Sequence, residues 1–220
     1  MNNFQKYLSY FYRIVVEKTT SDFNPGLIVA IQNGKYVLNS KNANYSFASL
    51  HRVFQQALAK IEWSKKSINS VLVLGCGAGS IPAIIYQELN LNPKIDAIEI
   101  DEKVIALGNK YFGLNQYPNL TIIVADASHF VKTTTKKYDL ILVDLFKGIN
   151  VPDEFLDPLF FEQLKNLITN EGEILFNFVA YNYETKQKVK ELEKKLMKIF
   201  PNHTKTYQFE NMNRIFHLKK

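Results

Sequence analysis

The chain holds one cysteine, Cys76, among 220 residues. A lone thiol excludes an intrachain disulfide and a cysteine-based zinc site. Histidine is almost as scarce. His51, His129, His203 and His217 stand far apart, without the close pairing that a metal site uses, so no metal is expected. No apolar run nears the ~18 residues of a membrane span, and no membrane partner is expected. The opening MNNFQKYLSYFYRIVV is interrupted by Lys6 and Arg13 and lacks a small-residue cleavage site. It does not read as a signal peptide, and a cytoplasmic protein is expected. Low-complexity tracts, internal repeats and long linkers are absent too, and 46% hydrophobic residues exclude a disordered chain.

What is present suits one domain, or one domain with a small appendage. A chain of this length buries roughly 70% of its unfolded surface and needs no staple to fold. The net charge of +6 first points to an acidic partner. Residues 184–220, however, hold ten basic and four acidic residues, and the preceding segment holds seventeen of each sign. Half of the excess lies on a lysine-rich helix with interspersed glutamates and half on the terminal segment. That is the pattern of a solvated face, so nucleic acid is not an expected partner.

Phe4, Tyr7, Leu8 and Phe11 recur at helical spacing. Two β-rich runs follow, YRIVVEKT and GLIVAIQNGKYVLNS, the second split by Asn33-Gly34, a strong hairpin signal. Residues 1–45 therefore read as a small antiparallel β appendage, and 46–220 as the main domain. An amphipathic helix over 46–62 carries Phe47, Leu50, Phe54, Leu58 and Ile61 on one stripe. Strands then alternate with helices: VLVLG, KIDAIEI, LTIIVAD, YDLILVDLF and GEILFNFVA. A terminal hairpin, KTYQFE and RIFHLK, closes the chain. This order predicts an α/β fold, a doubly wound Rossmann-like sheet of seven strands with helices on both faces. The closing antiparallel hairpin suits a methyltransferase-type sheet better than a dinucleotide-binding one.

The first strand of that sheet runs into Gly75-Cys76-Gly77-Ala78-Gly79-Ser80. Alternate glycines let the backbone turn sharply and approach a ligand, or merely make a tight strand–helix turn. Glu99 ends the second strand, 24 positions after Gly75. A carboxylate there can accept both hydroxyls of a ribose. Asp101 reads as a helix N-cap. Asp126, with Ala127 beside it, ends the third strand and reads either as a helix cap or as an acceptor for an adenine amino group. Asp144 ends the fourth strand and is the best placed for general-base or cation-holding work. Cys76 reads as a packed small residue, although a helix N-terminus can lower a thiol pKa. Glycine loop and three acids on one rim suit a nucleoside carrying a positive charge. NAD is the chemical competitor, and Ser80 nearly fits its fingerprint, but no second domain remains to hold its substrate. The segment 148–155 is expected to form a loop over the site.

With VLVLGCGAGSIP, AIEIDEKVIALGNKYF, ADASHFVKTTTKKYDLILVDLF and LFFEQLKNLITNEGEIL in place, the chain resembles the spermidine synthase branch of the class I S-adenosylmethionine-dependent transferases. The resemblance covers about 30–180. It implies a nucleoside site at Gly75, Gly77, Ala78, Gly79, Glu99, Asp126 and Ala127, Asp144 at the catalytic acid position, and a possible homodimer. The cofactor implied is S-adenosylmethionine or its decarboxylated form. Three departures touch the amine site. The family's loop reads roughly GGGDGG, and Ala78 replaces its Asp. After the fourth strand the family reads roughly DSSDP, and Lys147 replaces the second Asp. Tyr45-Ser46-Phe47 lacks the acid that the family keeps before the first helix. Tyr45 and Lys147 are the candidate substrate residues, and Asn177 takes the place of a family Gln. Replacing acids by a cation opposes polyamine binding. The expected activity is therefore methyl transfer to a small-molecule acceptor. Aminopropyl transfer with an altered amine site, and a non-catalytic nucleoside-binding module, are the alternatives.

Overall fold

A computed structural model describes residues 2–40, 44–47, 49–63 and 67–220, with the side chains of residues 44–46 and 49 outside that description. A short helix, α1 (Asn3–Leu8), starts at a capping box made by Asn2 and Gln5. Strands β1 (Ile14–Thr19), β2 (Leu27–Gln32), β3 (Lys35–Ser40) and β4 (Asn44–Ser46) follow and form a four-stranded antiparallel sheet in that order. Asn33 and Gly34 take φ 51° and 73° at its tight turn, as a hairpin of this twist requires. The sheet is larger than a hairpin because β2 is buried along most of its length, which two strands alone cannot achieve.

The main body continues with α2 (Ser49–Leu58), β5 (Ser70–Leu74), α3 (Ser80–Ala83), a π-helical turn (Ile84–Glu88) and β6 (Lys94–Glu99). Then come α4 (Glu102–Phe112), β7 (Leu120–Val124), α5 (Ala127–Thr133), β8 (Tyr138–Val143) and α6 (Pro158–Leu167). The chain ends with β9 (Ile168–Val179), α7 (Tyr183–Ile199), β10 (His203–Phe209) and β11 (Asn213–Lys219). The seven-stranded sheet has the order β10-β11-β9-β8-β5-β6-β7. Strands β5 to β9 pair in parallel, and β11 inserts antiparallel between β9 and β10. The chain builds outward from β5 to β7 and then returns to place β8 on the other side of β5. That reversal opens a crevice at the carboxyl ends of β5 and β8, where such sheets bind ligands.

Both faces of the sheet are covered, which is why β5 and β8 read as unbroken apolar runs. Phe161, Leu164, Leu192 and Leu196 of α6 and α7 pack on one face. Val53, Phe54 and Leu58 of α2, with Ile84 and Ile85, pack on the other. The N-terminal sheet docks through Leu27, Val29 and Leu38 against Ala78 of the glycine loop and Val104 and Leu107 of α4. The terminal hairpin forms the edge of the sheet order opposite β7. Among the described residues, no helix is long and apolar enough to cross a membrane.

Candidate active site

A cavity of about 630 Å³ opens over the ends of β5, β6 and β8. Its floor begins with the glycine loop. Gly75 has φ 86°, and a Cβ there would lie 2.2 Å from the Asp144 carbonyl oxygen. Glycine is thus the residue that lets the ends of β5 and β8 converge. The N–H groups of Gly75 and Cys76 both donate to the carbonyl of Ile98, at 3.0 and 2.9 Å. Gly75 and Gly77 line the cavity. Gly79 and Ala78 are not among its lining residues. A Cβ at Gly79 would meet Leu114 at 2.4 Å, and Ala78 is fully buried against the N-terminal sheet and α4. Both positions serve packing. Cys76 borders the cavity but is buried, and burial pushes its thiol well above the ordinary range. It is not an activated nucleophile.

Glu99 is buried at the end of β6 and also lines the cavity. Its Oε2 accepts the Gly77 N–H at 2.8 Å and its Oε1 accepts the Asp101 N–H at 3.1 Å. One carboxylate therefore holds the glycine loop in place beneath the ligand space. Burial raises its pKa, and these backbone donors oppose the rise. Asp126 is exposed at the rim and caps α5, accepting the His129 N–H at 2.9 Å. Ala127 lies beside it on the cavity wall. Asp101 caps α4, as its position predicts, accepting from the Lys103 and Val104 N–H groups.

Asp101 also does something that its position in the chain does not announce. Its Oδ2 accepts from the Ser21 hydroxyl and from Nδ2 of Asn24, the latter at 2.7 Å. That hook carries Asp22, Phe23 and Asn24 onto the cavity wall. The N-terminal appendage is thus part of the site.

Asp144 follows β8 and opens onto the cavity. Protein atoms crowd its carboxyl, and loss of hydration, aided by the nearby charge of Glu99, pushes its pKa up to about 7 despite a donor from Asn177. Asn177 is fully buried on β9 and gives its Nδ2 to Asp144 Oδ1 at 2.9 Å, while its Oδ1 receives Nδ2 of Asn213 at 3.0 Å. Asn213 and Met212, from the turn of the terminal hairpin, complete this wall. Neither stood out in the sequence. Lys147 is exposed at the mouth, on a turn where its N–H and carbonyl pair with Asn150. The following segment lines the cavity through Gly148, Ile149, Pro152, Glu154 and Phe155, where a covering loop was expected. Tyr45 lies in β4, and its side chain is outside the described residues. Among the described residues, no three His, Cys, Asp or Glu side chains are grouped to hold a metal.

Taken together, the cavity over the ends of β5, β6 and β8 is lined by two loop glycines and by the carboxylates Glu99, Asp126 and Asp144. A polyamine aminopropyltransferase of Vibrio vulnificus is 30% identical over 110 residues, 49% of this chain and 36% of that protein. An eEF1A lysine and N-terminal methyltransferase of Mus musculus is 25% identical over 130 residues, 54% of this chain and 18% of that protein. The chain thus spans about a third and a fifth of these two relatives. Human methyltransferase-like protein 13, solved with S-adenosylhomocysteine, superposes with a TM-score of 0.66 at 22% identity, covering 79% of this chain and 82% of that one. The relatives are transferases of two kinds on one Rossmann-like fold. The model of the Spermine/spermidine synthase domain matches residues 53–210, well over half of the sequence, and the chain belongs to that family.

Proposed function

We propose that the protein transfers a methyl group from S-adenosylmethionine to a small-molecule acceptor, with Asp144 as general base. The observation that carries this reading is the state of Asp144: a carboxyl on the cavity wall with a pKa near 7. A base poised near neutral pH matches the demands of proton removal at the operating pH. The acids Glu99, Asp126 and Asp144 face a cavity in which a sulfonium cation is electrostatically welcome. In the step itself, the acceptor's lone pair attacks the methyl carbon in line with its bond to sulfur. That bond breaks, its electron pair stays on sulfur, and the acceptor's proton passes to Asp144. The protein's main contribution is alignment of the two partners.

Lys147 at the mouth supports this over aminopropyl transfer. A polyamine is a string of cations, and Lys147 repels it where the resembling enzymes keep an acid. Calorimetry with S-adenosylmethionine, its decarboxylated form and methylthioadenosine tests the reading. Binding of all three without preference for the decarboxylated compound is expected. A clear preference for the decarboxylated form would overturn methyl transfer and favour the aminopropyl reading, which the Vibrio relative represents.

A further inference from the structure

The cavity changes character past Asp144. Glu99 and Asp126 stand at the ends of β6 and β7, and Asp22 stands on the hook beside Asp101. Past Asp144 the wall is mostly apolar. Phe146 and Ile149 come from the segment after β8, Val179 from the end of β9 and Met212 from the hairpin turn. Two hydrogen-bonded ties hold these pieces together. Asp144, Asn177 and Asn213 form the first, and Asn213 pairs with Val179 in the sheet. Tyr181, just past β9, forms the second, because its hydroxyl donates to Asn150 Oδ1 at 3.0 Å.

Asn150 closes a tight turn with Lys147. The Lys147 N–H donates to the Asn150 carbonyl at 2.8 Å, and the Asn150 N–H returns to the Lys147 carbonyl at 3.3 Å. Gly148 makes the bend at φ 66°, and nothing lies within 4 Å of the Cβ position there. The turn therefore stands clear of the body, while Tyr181 fixes its place. It carries Lys147, the only cationic side chain among the described residues that line the cavity. Its ammonium makes no ion pair with any described residue. Glu154 lies on the same segment and also lines the cavity, but it is exposed and does not pair with Lys147. The lysine thus borders an apolar wall with its charge unmatched by protein.

We propose that the acceptor has an apolar body and a carboxylate, that Lys147 pairs with this carboxylate, and that Asn150 and Tyr181 are positioning residues that fix the lysine's turn. The inference rests on the reading of the cavity as a methyl-transfer site and names the class of acceptor. With S-adenosylmethionine bound, the acceptor lies between a sulfonium and an ammonium, and both attract a negative charge. One ammonium balances one negative charge, so a carboxylate suits the turn better than a phosphate dianion. The apolar body covers Phe146, Ile149, Val179 and Met212. The reacting hydroxyl or amine is a separate group of the same molecule and lies at Asp144.

Calorimetry on the full chain saturated with S-adenosylhomocysteine tests this with probes of one shape: 4-hydroxybenzoate, 4-hydroxybenzamide, 4-hydroxybenzylamine and 4-hydroxyphenyl phosphate. The carboxylate should bind about 5- to 10-fold more tightly than the amide, between the worth of an exposed ion pair and that of a hydrogen bond to a charged group. The amine should bind most weakly. Lys147→Ala should close the gap between carboxylate and amide, and Lys147→Glu should place the amine first. Tyr181→Phe should narrow the gap with the amide's affinity unchanged, whereas a merely structural tie would move all probes together and would overturn the role given to Tyr181. Equal binding of the probes, binding of none, a preference for the amine or the phosphate, or an unchanged gap in Lys147→Ala would overturn the proposal. So would a loss of S-adenosylhomocysteine affinity in Lys147→Ala, which would make Lys147 a reader of the cofactor. If the unaltered protein failed to bind S-adenosylhomocysteine, the functional reading itself would fall, and this inference with it.

Discussion

Asn177 holds Asp144 through a single donated hydrogen bond, Nδ2 to Oδ1, at 2.9 Å. The bond favours the charged carboxylate while burial disfavours it, and the balance leaves the group near pH 7. Asn177→Leu removes the donor at a fully buried position. The Asp144 pKa should climb further, and the rising limb of the pH–rate profile should move to higher pH. A profile that stays in place would show that this bond takes no part in the tuning.

Asp144→Asn should spare cofactor binding and lower turnover by roughly 100- to 10,000-fold, the usual worth of a general base. The same variant carries a stability signature. The native carboxyl has a pKa of about 7 against an ordinary 3.8, so the folded state binds the proton more tightly than the unfolded state. That contribution to stability is fully present below 3.8 and is lost as pH rises through about 7. Asparagine does not titrate. Relative to the original protein, the variant should gain stability between acid and neutral pH, which melting temperatures measured across that range will show.

Glu99→Gln replaces two accepting oxygens with one oxygen and one amide. Either the Gly77 or the Asp101 N–H then faces a donor. Methylthioadenosine affinity should fall by roughly 10- to 100-fold. Calorimetry reads this directly, and intact affinity would remove Glu99 from the nucleoside site.

Asp101→Ala takes away a helix cap, worth about 1 kcal/mol, together with the partners of Ser21 and Asn24. Urea denaturation should show a loss larger than the cap alone, and the variant should bind the nucleoside more weakly because Asp22–Asn24 no longer form a fixed wall. Equal binding in both proteins would show that this wall is not needed.

Much of this was legible because parallel sheets write themselves locally. VLVL and LILV are apolar throughout since each strand is covered on both faces, and the residues just past their ends must sit on the rim. Gly75, Glu99, Asp126 and Asp144 follow from that rule alone. The packing of Ala78 and Gly79 was not legible in the same way, because what sits above a loop residue, here β2, β3 and Leu114, comes from distant parts of the chain. The Asp101 hook joins residues 77 and 80 positions apart, and no periodicity encodes such a contact. Asn213 and Met212 reach the cavity only because β11 inserts beside β9, a choice of sheet order that the terminal hairpin permits but does not spell out.

At Gly75 the glycine loop meets the backbone of Asp144 so closely that even one added carbon would collide with it. Under the proposed function, that junction ties donor binding and proton removal to one fixed point of the main chain. Beyond it, the cavity wall is carried on the segment after β8, through Phe146, Lys147, Gly148 and Ile149, and on Met212 and Asn213 of the hairpin turn. On the proposed function, natural selection can rewrite the acceptor while the donor stays constant. A single ancestral scaffold could thus diverge into methyl-transferring and aminopropyl-transferring lineages by changing loops, with its nucleoside half inherited intact.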